Sequence, residues 1–159
     1  MVPQRALCLG LLLCGSTAAM ADEAGSGIQC YDAAVIARAV EQIPSEIPEC
    51  GDCIIMEWPW FLDLQVKRVI SGQVQGKLIR VLSVQHTWKM PRDGTWRLRK
   101  NSLGGFNVVL FWKVRPRRCP ANAAPADPYI RPRNGRTLDD LRQDGERLYG
   151  RMPDAMRAR

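Results

Sequence analysis

Histidine occurs once in the 159 residues, as His86, and the chain carries no HExxH, no P-loop and no dinucleotide-binding fingerprint. Zinc proteases, nucleotide hydrolases and nicotinamide enzymes of the recognisable types are thereby excluded. No Gly-x-Ser-x-Gly elbow accompanies His86, so a serine triad has no anchor in the sequence. Long apolar runs are scarce as well. Ala6 to Gly15 (ALCLGLLLCG) is the one run of ten, whereas a spanning helix needs about 20 apolar residues. Repeats and low-complexity tracts are missing, and 46% hydrophobic with 25% charged residues excludes collagen-like and disordered chains. The length suits one domain with a real hydrophobic core and leaves no room for a separate cofactor module, so no cofactor and no metal is expected.

What is present begins with a targeting segment. Met1 to Arg5 carries one positive charge, the apolar run follows, and Ala19-Met20-Ala21 is an A-x-A cleavage pattern. Residues 1–21 therefore read as a secretory signal peptide, cut after Ala21. Lipidation at Cys14 is disfavoured by Leu13 before it, where a small residue is wanted. The mature chain, secreted or periplasmic, has no transmembrane segment.

Cys8 and Cys14 leave with the signal, and Cys30, Cys50, Cys53 and Cys119 remain. An even number in an exported chain implies disulfides. Cys50-Gly51-Asp52-Cys53 is a C-x-x-C that invites a thiol-disulfide oxidoreductase reading. Such motifs sit at a strand-to-helix turn, and Pro59 would interrupt a helix after its first turn. Zinc would need a second closely spaced ligand pair, and Cys30 and Cys119 do not form one. The expected pairs are Cys30–Cys50 and Cys53–Cys119, the second because Cys53 precedes the first strand and Cys119 follows the last.

Ile36, Val40 and Ile43 recur at helical spacing, which predicts an N-terminal helix over 32–43 with Asp32 as cap and Pro44 as stop. From Cys53 the period becomes two. Phe61 to Val69 alternates, Lys77 to Thr87 is β-rich, Asp93-Gly94 marks a hairpin turn, Thr95 to Lys100 gives a short strand, and Phe106 to Val114 a longer one. Trp58 and Trp60 share one face of an extended chain, so one of Trp60 and Phe61 should be exposed. Pro120 to Asn134 reads as an extended strap. Thr137-Leu138-Asp139-Asp140 resembles a capping box opening a C-terminal helix, 137–152, that Gly145 weakens. The expected fold is mainly β, a small barrel or sandwich of about five strands between two helices. The chain divides into the signal (1–21), an acidic helix and connector (22–51), a basic β domain (52–119), the strap (120–136) and the C-terminal helix with its tail (137–159).

The stretch Phe61 to Val81 (FLDLQVKRVISGQVQGKLIRV) resembles the opening strands of netrin-type OB barrels, the tissue-inhibitor-of-metalloproteinase class, with coverage of about residues 61–114. The resemblance implies a barrel-like fold. Inhibitors of that class begin with a C-x-C at the mature terminus. This chain does not, so their mechanism does not carry over.

Charge is the strongest functional signal. Asp22 to Asp63 holds nine acidic residues against Arg38 alone, whereas Leu64 to Arg136 holds sixteen basic residues against Asp93 and Asp127. Most of the aromatics lie in the same basic strands. Either these strands face an anionic partner, or the acidic first third packs on them and cancels their charge. The residues expected to meet an anion are Lys67, Arg80, Arg97, Arg99 and Lys113. Arg80 is included although strict alternation puts it in phase with Leu78 and Leu82. His86 reads as a hydrogen-bonded rim residue rather than a general base. The function implied is a non-enzymatic exported or envelope-associated binding protein, with an anionic polymer, a lipid head group or a protein as partner. The alternatives are a thiol-disulfide oxidoreductase using Cys50 and Cys53, or an inhibitor of a secreted protein.

Overall fold

The computed structural model describes residues 30–52, 54–89, 91–109 and 116–151. Residues 1–21, expected as a signal peptide, and Cys53 and Lys113 lie outside the described residues. Five strands close a barrel in the order β2-β3-β4-β6-β5: β2 Ala33–Pro44, β3 Trp58–Ser71, β4 Leu78–Gln85, β5 Gly94–Lys100 and β6 Phe106–Val108. Every neighbouring pair is antiparallel except β4 with β6. Two short segments, β1 Cys30–Tyr31 and β7 Arg117–Arg118, pair in parallel beside it, and α1 Leu138–Tyr149 packs on its outside. The mainly β expectation holds, as a closed five-stranded barrel rather than a sandwich.

The predicted N-terminal helix is a strand. β2 sends Ala33, Val35, Ala37 and Ala39 into the barrel, but its register slips against β3 at Ala34/Val35, at Ile36/Ala37 and at Ala39/Glu41. The first two slips put the extra residue in β3, at Ile70 and at Lys67, and only the third, at Val40, interrupts β2 itself. The inward set therefore keeps a period of two as far as Ala39, and the helical spacing belongs to Ile36, Val40 and Ile43, which lie off that face. Alanine favours helix. Pairing on both edges, with β3 and with β5, outweighs that local preference.

The interior joins β2's small side chains to Trp60, Leu62 and Leu64 of β3, Ile79 and Val81 of β4, Leu98 of β5 and Val108 of β6. Trp58, Trp88 and Trp96 pack against this core at one end, and Val74 of the β3–β4 turn packs against it as well. That turn fits because Gly72, at φ +76°, lies against β2, where a Cβ would stand 2.2 Å from the Asp32 carbonyl oxygen. A second cluster sits outside the barrel, where Ile43, Phe61 and Leu82 are covered by Leu138 and Leu141 of α1 and by Tyr129 and Ile130. Trp60 and Phe61 are therefore both buried, on opposite faces of β3, and neither is the exposed aromatic that alternation predicts. The strap is likewise a packed element: the Tyr129 hydroxyl donates to the Val108 carbonyl at 2.9 Å, and Asn107 donates to the Asp127 carbonyl at 2.7 Å.

The C-terminal helix forms as expected. The Thr137 hydroxyl accepts from the Asp140 N–H, and the Asp140 carboxylate accepts from the Thr137 N–H at 2.7 Å, which completes a capping box. The Thr137 N–H and the Thr137 hydroxyl, both donating to the Asp140 carboxylate, hold that carboxyl below the ordinary carboxylate range. Gly145 is no weakness here, because its bare Cα faces Pro44 and lets α1 approach β2.

The disulfide is Cys30–Cys119. It joins the ends of β1 and β7, whose pairing places Cys30 beside Arg117 and lets the Cys119 N–H donate to the Tyr31 carbonyl. Both expected pairs, Cys30–Cys50 and Cys53–Cys119, are thereby overturned. The expectation assumed that Cys30 opened a helix, whereas it opens the chain's entry into the barrel and returns beside its exit. Cys50 is disulfide-bonded in its turn, in the exposed connector between β2 and β3.

Candidate functional site

The basic residues of the barrel divide by what faces them. Arg99 of β5 has an 8% exposed side chain, with Nη1 2.9 and 2.8 Å from the two Asp32 carboxylate oxygens and Nη2 donating to the Ala124 carbonyl. It ties β5 to the strap and is withdrawn from solvent. Arg80 points outward because Leu78, its neighbour in phase, is exposed and Leu82 belongs to the outer cluster. Its guanidinium meets Asp139 at 2.6 Å and Asp63 at 3.8 Å. Asp63 also takes both Arg142 nitrogens at 2.8 Å. Arg38 pairs with Asp93 at 3.1 Å. Arg97 is half-buried, its guanidinium carbon 5.6 Å from the centre of the Tyr31 ring. Asp32 and Asp63, of the acidic first third, thus cover part of the basic strands.

A different group remains uncovered at the β3–β4 hairpin. Lys67, Arg68 and Lys77 are exposed there, and among the described residues no carboxylate comes within ion-pair distance of them. Lys67 donates only to Gln65, at 2.9 Å. The register sets Leu78 opposite Gln65, and the Val66 N–H donates to the Lys77 carbonyl, so the two arms of the hairpin lie side by side. The hairpin is also apolar: Val69 is 41%, Ile70 49% and Leu78 59% exposed. Three cations and three exposed aliphatic side chains thus share the two arms of one hairpin, a mixed apolar and basic end of the barrel of the kind that marks an interaction site.

Of the five cations expected from the sequence, the structure brings Lys67 alone to this patch. Arg80, Arg97 and Arg99 stand elsewhere on the barrel with partners of their own. Arg68, Lys77 and the aliphatic trio were missed. The signal for them is Lys67-Arg68-Val69-Ile70 running up to Gly72 and Lys77-Leu78 leaving Gly76, two apolar-basic steps mirrored across one turn.

At the opposite end of β3, His86 holds the rim. Its Nδ1 donates to the Met56 carbonyl at 2.6 Å, and its ring meets Trp58 edge-on. Among the described residues no three His, Cys, Asp or Glu side chains gather in a way that could hold a metal ion, and no helix is long and apolar enough to cross a membrane. Compared with family models, curated proteins and solved structures, the chain matches none.

Proposed function

We propose that this chain is an exported, disulfide-stabilised envelope protein that acts by binding, and that the β3–β4 hairpin docks it on anionic lipid head groups. The observation that carries the reading is the uncovered hairpin itself, whose two arms expose Lys67, Arg68 and Lys77 together with Val69, Ile70 and Leu78. Cations without carboxylate partners are available to phosphate, and aliphatic side chains between them can enter the head-group boundary. A polymer lying along the barrel is less well served. The outer face of β3 and β4, which OB barrels offer to oligonucleotides, is roofed here by α1 and the strap.

The test is sedimentation of the mature, oxidised protein with vesicles of phosphatidylcholine containing phosphatidylglycerol, across a salt series. Each basic residue near an anionic surface contributes about 1 kcal/mol. A Lys67→Gln, Arg68→Gln, Lys77→Gln variant should therefore bind on the order of 100-fold more weakly. Val69→Ser with Ile70→Ser should weaken binding at all salt concentrations, whereas Arg80→Gln should not. Absence of sedimentation at low salt, or indifference to the triple variant, overturns the proposal. Retention on single-stranded DNA that is lost with the triple variant but kept by Val69→Ser, Ile70→Ser would replace the lipid with a polymer.

A further inference from the structure

The barrel's other end poses a separate chemical problem. Trp58 and Trp60 of β3 face Gln85 and Ser83 of β4 across the sheet, and Trp88 follows β4 with its ring 5.3 Å from that of Trp60, edge to face. Five polar atoms of this group, Nε1 of Trp58, Trp60 and Trp88, Oγ of Ser83 and Oε1 of Gln85, are buried without a hydrogen-bond partner among the described residues. A buried group left unsatisfied costs about 1–3 kcal/mol, so five together at one mouth need a physical explanation.

The surroundings say what would satisfy them. A cavity of about 520 Å³ opens here, lined by Gln85 and Trp88 from the orphaned group and by Trp96, Lys89 and Arg92. Gln85 is nine-tenths buried and more. Its Nε2 donates to Gln42 Oε1, which leaves its own oxygen for the cavity. Gln42 also clamps the loop, accepting from the Lys89 N–H at 2.9 Å and donating to the Lys89 carbonyl at 2.7 Å, so the wall is held in place. Lys89 extends over the Trp96 ring with Nζ 5.3 Å from its centre. Burial pushes its ammonium below the ordinary lysine range, and nearby Glu57 restores only part of that.

We propose that this tryptophan-lined mouth binds a small organic acid with a flat apolar body, its anionic group toward Lys89 and Arg92 and its body against Trp88 and Trp96. Donors outweigh acceptors in the charged lining: the Trp88 indole N–H, the Lys89 ammonium and the Arg92 guanidinium against the Gln85 oxygen and Glu57. A guest must therefore bring acceptors. The part-desolvated ammonium favours a full negative charge over a neutral acceptor, and the indoles favour a flat hydrocarbon body. The volume admits a molecule of one or two rings. Trp58 begins β3 and the lipid patch ends it, so this site stands apart from the proposed membrane contact.

The experiment is calorimetric titration of the mature, oxidised protein with naphthalene-1-carboxylate and with neutral 1-naphthalenemethanol. The carboxylate should bind about tenfold more tightly than the alcohol, and Lys89→Met should abolish that preference. Lys67→Gln, at the other end of β3, should leave it intact. Should Lys89→Met fail to fold, the indole N–H resonances of the wild-type protein decide the matter. That of Trp88, which lines the cavity and has no partner among the described residues, should move downfield on adding the acid. That of Trp96, which already donates to the Ala37 carbonyl at 2.9 Å, should stay. No binding of the acid at millimolar concentration, a preference that survives Lys89→Met, or a shift confined to Trp96 overturns the proposal and leaves the orphaned groups to buried water.

Discussion

Gly145→Ala should destabilise this protein, although alanine is the better helix former. In a free helix the change is worth about 1 kcal/mol in alanine's favour. Here the added Cβ would stand 2.0 Å from the Pro44 carbonyl oxygen and 3.3 Å from Ile43 Cγ2. The first contact is with backbone inside a closed barrel, so the helix must retreat. Retreat loosens Leu138 and Leu141 from Ile43, Phe61 and Leu82, and it strains the two-point Arg142–Asp63 pair. Overpacking of a tight core costs about 1–3 kcal/mol, and partial exposure of two leucines adds about 1 kcal/mol each. Set against the gain in propensity, the net loss is about 2–4 kcal/mol, a fall in Tm of about 6–16 °C for a domain of this size. Thermal melting by circular dichroism reads it directly, with exposed Gln143→Ala as the control that tests propensity alone. A Gly145→Ala protein as stable as the wild type, or more so, would refute the packing of α1 on β2.

Two further outcomes follow from the same outer cluster. Burial raises the Tyr129 hydroxyl to about 12 from an ordinary value of 10.0, so between those values the unfolded chain loses a proton that the folded chain keeps. Stability should be intact below pH 10 and fall as the pH rises toward 12. Urea titrations across that range should show the fall in the wild type and a shallower one in Tyr129→Phe. Thr137→Ala removes the hydroxyl half of the capping box and should cost about 1 kcal/mol in the same titration. The matching carboxylate, Asp140, adds stability above the ordinary carboxylate range, and that contribution should fade as the pH drops through its lowered value.

The strands from Trp58 to Lys100 could be read from the sequence because Leu62 and Leu64 of β3 and Trp96 and Leu98 of β5 alternate toward the core and glycine turns separate the runs. β2 could not, because its inward positions are mostly alanine, its larger Ile36, Val40 and Ile43 fall at helical spacing off the barrel interior, and the strands that pair with it lie far along the chain. The same blindness to partners explains Trp60 and Phe61. Alternation correctly placed them on opposite faces, but nothing local says that α1 and the strap will cover the outer one. Arg99 and Lys67 look alike in the sequence, each a cation opposite an apolar residue. What separates them is Asp32, 67 positions away from Arg99. Charge counts were informative about the region and uninformative about the individual side chain. The hairpin patch, by contrast, is local in the sequence and was there to be found.

The Cys30–Cys119 bridge spans 89 positions, and every strand of the barrel falls inside that span while α1 falls outside it. The oxidised chain is therefore a closed circuit with a tail. Even when unfolded, the barrel segment searches conformations as a ring, which removes much of its entropy, while the helix searches as an ordinary linear end. The two parts should come undone at different levels. Openings that release α1 need only break its contacts with Ile43, Phe61 and Leu82 and its ion pairs, whereas openings of the barrel must work against a loop already covalently shut. The circuit also imposes an order on biogenesis. Cys119 follows the last barrel strand, so the bond cannot close until the whole barrel sequence has emerged, and its partner must remain reduced and reachable until then.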